Sequence, residues 1–174
     1  MPMLVLIALL VSTMACSVEE ALPAPDCVEG GSTLIVAQSV PSAELVPCLD
    51  SLPDGWTVDA VSIDQDGTII RFDSDRAGSG AAELRFAETC DVDDAVPRPS
   101  DIDGAVRFDR PERLEPGFRE QRFYVFAGGC IWWEFDFDDG ASSTLSIGLG
   151  DRLELWSRAA LNESIRETFI DEEL

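Results

Sequence analysis

The feature that most constrains the fold is an alternation of aromatic side chains in the C-terminal half of the chain. Two runs of it, residues 123–127 and 130–137, flank a Gly-Gly pair. A period of two is typical of a strand with one buried face, and two glycines between such runs indicate a tight hairpin. We therefore expect this hairpin to carry the centre of the core. Tyr124 should oppose Trp133, and Phe126 should oppose Ile131. Phe135 and Phe137 share this face and complete the predicted core.

A second hairpin is predicted around an Asp-Gly pair at 66–67, because alternating runs at 61–64 and 68–73 flank it. Val61 should oppose Phe72, and Ile63 should oppose Ile70. These four apolar side chains share one face of the hairpin. The other face carries Ser62, Arg71 and Asp73, so the sheet should have one face in water.

The remaining segments complete an α+β pattern. Composition and spacing predict strands at 33–37, 82–90, 105–108 and 144–147. They also predict a helix at 42–52 and a helix that Ser157 caps and that runs to Phe169. The alternative for the first helix is that Pro47 marks its first turn and that residues 42–46 form a separate turn. Residues 91–104 and 111–117 read as loops. Leu161, Ile165 and Phe169 form a helical stripe that should pack on the sheet. We expect a mostly antiparallel β-sheet of about six to eight strands with two helices packed on one face.

The N-terminal segment predicts export. An uncharged apolar run ends at Ala15-Cys16, as in a secretory signal peptide. Residues 13–16, Thr-Met-Ala-Cys, resemble the lipobox of bacterial lipoproteins, and this resemblance implies a lipid-modified Cys16 on the extracytoplasmic face of the cell membrane. Cleavage as an ordinary signal peptide and retention as a membrane helix are the alternatives. The expected organisation is a signal peptide at 1–15, a lipidated N-terminus and tether at 16–26, one domain at 27–170 and an acidic tail at 171–174.

Cysteine usage supports this assignment. The chain has five cysteines, an odd number for an exported protein, so a lipid on Cys16 leaves four to pair. Three connectivities are possible, and we favour Cys27 with Cys48 and Cys90 with Cys130. The second bridge needs a bulge or twist, because Cys90 has the inward parity of its strand and Cys130 the outward parity of its own.

The net charge and the residue types that the chain lacks exclude several classes of partner and of catalytic site. The formal net charge is −22, with no His and no Lys. Nucleic acid and anionic membrane surfaces would repel such a chain, so cations or a basic protein surface are the better partners. Solubility of an exported protein, without a recognition role, is the favoured interpretation of the charge. Without His or Lys, Ser-His and Cys-His nucleophile pairs, histidine metal ligands and Schiff-base lysines are excluded. Carboxylate chemistry remains possible, and we expect no cofactor.

Two acidic features are candidate sites. Asp64 and Asp66 resemble the start of a calcium loop, but the sixth and twelfth positions would be Ile69 and Asp75, where an EF-hand has Gly and Glu. A solvated hairpin turn is the favoured interpretation. The carboxylates of residues 91–94 and 136–139 could supply an acid/base pair of the kind that hydrolases use. Both segments should be exposed, and we predict no catalytic residue.

An aromatic patch is the third candidate. Trp132 has outward parity on its strand, beside Phe123 and Val125 of the neighbouring strand. An exposed patch of this kind is typical of a partner-binding surface. The alternative is that the C-terminal helix covers it.

The mature chain also resembles a group of small actinobacterial envelope proteins of unassigned function. The matching stretches are residues 40–49 (Val-Pro-Ser-Ala-Glu-Leu-Val-Pro-Cys-Leu), 52–56 (Leu-Pro-Asp-Gly-Trp), 73–78 (Asp-Ser-Asp-Arg-Ala-Gly), 90–92 (Cys-Asp-Val), 116–118 (Pro-Gly-Phe) and 128–130 (Gly-Gly-Cys). The resemblance implies an exported, cysteine-bridged domain at a membrane. We expect a non-enzymatic binding or scaffolding lipoprotein; a carboxylate-dependent hydrolase and a calcium-stabilised adhesion module are the alternatives.

Overall fold

A computed structural model describes residues 24–27 and 31–171. The elements in chain order are α1 (Gly31–Ser39), β1 (Leu45–Leu49), β2 (Trp56–Asp64), β3 (Gly67–Ser74), β4 (Gly78–Ala87), β5 (Val96–Arg98), β6 (Val106–Arg113), β7 (Arg119–Phe126), β8 (Gly129–Asp136), α2 (Thr144–Gly150), β9 (Leu153–Ser157) and α3 (Arg158–Asp171). The predicted signal peptide, Cys16 and residues 172–174 of the predicted tail lie outside the described residues.

Seven strands form one antiparallel sheet in the order β2-β3-β4-β8-β7-β6-β5. It consists of two meanders, β2 to β4 and β5 to β8, which meet where β4 pairs with β8. The predicted sheet of six to eight mostly antiparallel strands is confirmed. A separate pair, β1 with β9, forms a second small sheet that the sequence did not predict.

Both predicted hairpins are present, but each register is shifted by two residues. Val61 opposes Ile70 in the first hairpin, and Tyr124 opposes Ile131 in the second. A shift of two preserves the face on which each side chain lies, so the predicted core is confirmed and its large side chains are buried. In the first hairpin the turn residues are 65–66, and Gly67 belongs to β3. A Cβ on Gly67 would overlap the carbonyl oxygen of Phe86, so this glycine serves strand packing.

The inner face of the large sheet is covered by a layer that contains α1, the β1–β9 pair and α2. Its contribution to the main core comes from Val36 and Val40, Leu49, Leu149 and Leu153. They pack against aromatic side chains of β3, β4 and β8, among which the rings of Trp133 and Phe135 are stacked 5.6 Å apart. Stacked and tilted aromatic pairs add to the stabilisation from area burial alone.

The C-terminal helix α3 lies on the β1–β9 side of this layer. Ser157 caps it, since its Oγ accepts a hydrogen bond from the Ala160 amide at 3.1 Å. Leu161 packs with Ala37 and Val46 in a smaller core. Leu161 of the predicted stripe therefore packs on α1 and the small sheet, not on the large one; the side chains of Ile165 and Phe169 lie outside the described residues. No described helix combines the length and apolar character needed to span a bilayer.

The strand predicted at 33–37 is wrong, because these residues belong to helix α1. Buried side chains recur at Thr33, Val36, Ala37 and Val40, which is the i, i+3, i+4, i+7 spacing of a helix. The short run of β-branched and apolar residues hid this spacing. Two hydroxyl groups fix the start of the helix: Ser32 donates to the Ala24 carbonyl at 2.9 Å and Thr33 to that of Asp26 at 2.7 Å.

The helix predicted at 42–52 and the strand predicted at 144–147 are also wrong. The first segment holds strand β1, whose residues 46–49 are all buried because the strand lies between the main core and α3. Burial on both faces removes the alternation that identifies a strand. The second segment begins helix α2. The predicted loop at 91–104 contains the short strand β5, and β6 extends to Arg113, beyond its predicted end.

The chain between β4 and β5 crosses the outer face of the large sheet, opposite the helices. We call residues 88–95 the strap. The strand order places β8, β7 and β6 between its two ends, a separation of about 19 Å at the usual strand spacing. Cys90 on the strap is joined to Cys130 on β8. Because β4 ends at Ala87, Cys90 is free of strand parity and reaches the outer face without the predicted bulge.

Candidate functional site

The predicted patch of Phe123, Val125 and Trp132 lies on the outer face, but it is not an open surface. Phe123 is 2% exposed, and Trp132 and Val125 are half-buried. The indole of Trp132 stacks on the Phe123 ring with the centroids 6.3 Å apart. The guanidinium of Arg110 lies over the same ring at 5.1 Å and donates to strap carbonyl groups. The observed cover of Phe123 thus includes Trp132 and Arg110, which is bonded to the strap, and not the C-terminal helix of the alternative.

Trp132 also borders a depression of about 300 Å³, which we call the Trp132 depression. Its lining residues come from the β2–β3 turn, from β3, from the end of β4 and from β8: Asp64, Asp66, Gly67, Thr68, Ile69, Arg85, Phe86, Ala87 and Trp132. Ile69, Arg85 and Trp132 oppose one another on three adjacent strands. The structure therefore joins two features that the sequence treated separately, the acidic turn and the aromatic patch.

The arginines beside the depression are already paired. Glu83 accepts hydrogen bonds from Arg71 at 2.8 Å and from Arg85 at 2.6 Å, and Arg85 also lies 3.2 Å from Glu134. Burial acts to raise the pKa of Glu83, but the bonds and charges of the two arginines outweigh it and lower this pKa from its ordinary 4.5. This network is neutral, since two arginines face two glutamates.

The two aspartates of the depression are not neutralised in this way. One oxygen of Asp64 accepts a hydrogen bond from the Asp66 amide at 2.8 Å, which closes the turn. Within residues 24–27 and 31–171, neither carboxylate takes part in an ion pair. The depression therefore carries two uncompensated negative charges beside a half-exposed indole.

The arrangement does not resemble a calcium loop. Asp64 and Asp66 sit at one end of the β2–β3 hairpin, whereas Asp75 follows β3 at the other end. Among the described residues, the carboxylates of Asp64 and Asp66 do not converge with a third carboxylate or cysteine at ligand distance. Cys27, Cys48 and Glu154 do converge, but both sulfurs are in a disulfide and supply no thiolate.

The two carboxylate-rich segments do not form a common cleft in the described structure. Residues 91–94 lie on the strap. Asp136 pairs with Arg113 and Arg119, and the cavity beside it is lined by Asp138 and Asp139 and by no strap residue. The expected exposure of both segments is observed for their aspartates. Their positions give no support to an acid/base pair built from the two.

A charged cluster on the inner face escaped the sequence analysis. Its members are Asp101, Arg107, Asp109, Glu120, Arg122 and Tyr124. Arg107 donates two hydrogen bonds to Asp109, at 2.9 and 3.0 Å, and Arg122 donates to Glu120 at 3.4 Å. The signal in the sequence is that Glu120 and Arg122 share the inward parity of Tyr124. Charged residues at core positions of a strand indicate a buried ion-pair network.

Arg122 is the most enclosed cation of this cluster. Its side chain is 6% exposed, its guanidinium lies 5.5 Å from the centre of the Phe135 ring, and its Nε has no acceptor. Helix α2 closes over it at Gly150, where a Cβ would meet the Arg122 Nη1. Glycine at position 150 therefore lets α2 pack directly against this buried guanidinium.

Burial also governs the acidic members of this cluster. Burial raises the pKa of Glu120; the charge of Arg122 opposes this shift and that of Asp109 adds to it. Burial, together with the nearby carboxylate of Asp101, raises the pKa of Tyr124 to about 12. The phenol is therefore neutral at physiological pH and its hydroxyl lies 3.5 Å from Asp101. We assign the cluster a structural role, because its carboxylates are occupied by arginines.

The structure joins the cysteine pairs that the sequence favours, Cys27 with Cys48 and Cys90 with Cys130. The first bridge connects the segment that enters the domain to β1, and the second connects the strap to β8.

Comparison of the chain with protein-family models, with curated proteins and with solved structures finds no match.

Proposed function

We propose that this protein is a non-enzymatic binding domain, tethered by a lipid on Cys16 to the extracytoplasmic face of the cell membrane. Its ligand is a basic, partly apolar segment of an envelope protein, which the Trp132 depression receives. The observation that carries the proposal is the pair of uncompensated carboxylates, Asp64 and Asp66, beside the half-exposed indole of Trp132.

The charge of the site favours a cationic ligand. Arg71 and Arg85 are neutralised by glutamates, so the field in the depression comes mainly from Asp64 and Asp66. The formal charge of −22 on the whole chain steers cations toward it. A Lys or Arg side chain can place its charged end beside these carboxylates and its aliphatic stem along an aromatic ring.

The floor of the depression favours a ligand that also has apolar side chains. Ile69 and Trp132 contribute apolar surface there, and burying it against an apolar group stabilises a complex by about 25 cal/mol per Å² before ordering losses. A bare cation would use only the two carboxylates. This distinguishes a binding module for a basic protein from the alternative of a calcium-stabilised adhesion module.

The proposal is tested with labelled eight-residue peptides of alternating Lys and Leu, whose affinity is measured by fluorescence anisotropy. The double variant Asp64→Asn/Asp66→Asn should lower the affinity roughly tenfold, since each exposed charge pair contributes about 0.7 kcal/mol. Peptides of alternating Lys and Ser, or of Glu and Leu, should bind more weakly than the Lys–Leu peptide.

The matched control is Asp54→Asn/Asp59→Asn, which removes the same charge from exposed positions outside the depression. It should change the affinity less than twofold. An equal loss in the control and the test variant would show that the peptide responds only to the overall charge of the chain, and the proposed site would be wrong.

A further inference from the structure

We propose that the strap regulates the Trp132 depression: residues 88–95 mask an aromatic extension of the binding surface, and release of the strap exposes it. This inference rests on the proposed function. The extension is Phe123, which lies next to Trp132 in the same cross-strand row of the outer face.

The masked state of Phe123 is unusual for its position. The residue faces away from the main core, on the side of the sheet that carries the charged network of Arg85 and Glu134, yet it is 2% exposed. Only two groups lie over its ring among the described aromatic and cationic contacts: the stacked indole of Trp132 and the guanidinium of Arg110. Of these two groups, Arg110 is the one bonded to the strap, so the strap takes part in the mask through this side chain.

Two attachments hold the strap in place. Arg110 donates from its Nη2 to the carbonyl oxygens of Asp91, at 3.0 Å, and of Asp93, while its Nη1 donates to Gln121 at 2.7 Å. The Cys90–Cys130 disulfide fixes the strap to β8. The guanidinium of Arg110, which we call the latch, thus connects the strap to Gln121 of β7.

Little else holds the strap down. The side chains of Asp91, Asp93 and Asp94 are exposed, and none of them forms an ion pair within the described part of the chain. Asp94 has φ +63°, a backbone region that residues other than Gly seldom adopt. Val92 and Ala95 are half-buried, so the strap packs only a small apolar area, and its position depends mainly on the latch and the disulfide.

The strap also explains how the surface would respond to a basic ligand. The strap carbonyls of Asp91 and Asp93 bond Arg110 of β6, on the β7 side of Trp132, whereas Asp64 and Asp66 lie on the β3 side. A cationic segment that binds the exposed carboxylates of the strap draws the strap toward itself and away from Arg110, whose bonds go to main-chain carbonyl groups of the strap. Movement of the strap would then add the Phe123 ring to the apolar floor formed by Ile69 and Trp132.

The test compares two ways of releasing the strap with two matched controls. Arg110→Met removes the latch, and Cys90→Ser/Cys130→Ser removes the disulfide. Arg152→Met changes an exposed arginine that pairs with Asp50, and Cys27→Ser/Cys48→Ser removes the other disulfide. Thermal unfolding identifies any variant that fails to fold, and the single Arg110→Met change leaves both disulfides in place.

Hydrogen exchange reports the strap directly. The Ala95 amide bonds the Val92 carbonyl at 3.0 Å and the Asp93 amide bonds the Asp91 carboxylate, so both are protected while the strap is ordered. In Arg110→Met and in the Cys90/Cys130 variant we expect these amides to exchange at least tenfold faster than in wild type. Unchanged exchange in both variants would overturn the proposal.

Binding of the Lys–Leu peptide reports the consequence. The affinity of each released variant should rise about fivefold over wild type, the controls should not rise, and adding Phe123→Ala to a released variant should abolish the gain. Faster exchange with no gain in affinity, while binding still depends on Asp64 and Asp66, would overturn the regulatory role and leave the proposed function intact. Absence of peptide binding in wild type and in every variant would overturn the proposed function, and the strap as its regulator with it.

Discussion

Two half-buried glutamates of the large sheet respond to their surroundings in opposite ways. Glu83 on the outer face is held between Arg71 and Arg85, and its pKa is lowered. Glu120 on the inner face has one longer bond, from Arg122, and its pKa is raised. The difference follows from the number and length of the charge-assisted bonds, because burial alone raises the pKa of any carboxyl group.

This contrast predicts opposite pH dependences for Glu83→Gln and Glu120→Gln. A lowered pKa stabilises the fold above 4.5, and this stabilisation is lost as the pH falls through the folded value. A raised pKa does the reverse: its stabilisation is present below 4.5 and is lost as the pH rises through the folded value. The measurement is urea unfolding at pH 3 and pH 7. The loss of unfolding free energy that Glu83→Gln causes relative to wild type should be about 1–2 kcal/mol greater at pH 7.

Glu120→Gln should show the opposite trend. The free energy of unfolding of this variant minus that of wild type should be larger at pH 7 than at pH 3. Parallel pH trends in the two variants would contradict the assignment of causes. The arginine partners remain in both variants, which makes each variant the control for the other.

At the scale of elements, the sequence predicted the strands that have one wet face and failed for β1, which is buried on both sides, and for the short helices α1 and α2. The two hairpins alternate because β3 and β8 expose every second residue. Strand β1 is enclosed between the main core and α3, so its apolar run resembled a helix. Tertiary contacts decide such segments, and they are not encoded in local spacing.

The candidate site was predicted only in its parts. Asp64, Asp66 and Trp132 were each identified from local patterns, but they lie on strands that the chain order does not make adjacent. Their meeting depends on the pairing of β4 with β8, a long-range contact. The strap above Phe123 was likewise hidden, because its composition indicates only a loop.

The disulfides belong to this scale, since each ties one element to a distant segment. Their sequence separations are 21 and 40 residues. In the loop-entropy description, removing either should destabilise the fold by about 3–4 kcal/mol, the longer loop slightly more. Urea unfolding of the two Cys→Ser double variants measures this, and non-reducing peptide mapping checks the pairing. A fragment that links Cys48 to Cys90 would contradict it.

At the scale of the whole molecule, residues 24–27 and the Trp132 depression lie on different sides of the large sheet. The Pro25 carbonyl accepts a hydrogen bond from Leu49 at 2.8 Å, and Cys27 is bonded to Cys48. Both attachments are to β1, in the layer that covers the inner face. The depression opens on the outer face. The sheet thus separates the attachment to the proposed anchor from the proposed ligand site.

The proposed anchor leads to a separate prediction. Wild-type protein should partition into the detergent phase and carry the added mass of a diacylglyceryl group on Cys16, because two acyl chains give stable membrane attachment. Cys16→Ala should move the protein to the aqueous phase without altering Lys–Leu peptide affinity. Membrane association that survives this substitution would favour the alternative of an uncleaved helix.

The strap has one more consequence, which concerns cleavage of the chain. It is the main-chain link between the two meanders, which pair with each other along β4 and β8. Its exposed aspartates make residues 91–94 an accessible target for an extracellular protease. A nick there leaves Cys90 on the first fragment and Cys130 on the second, still joined by their disulfide. The two fragments would remain one molecule at high effective concentration, and the protein would survive as a two-chain form.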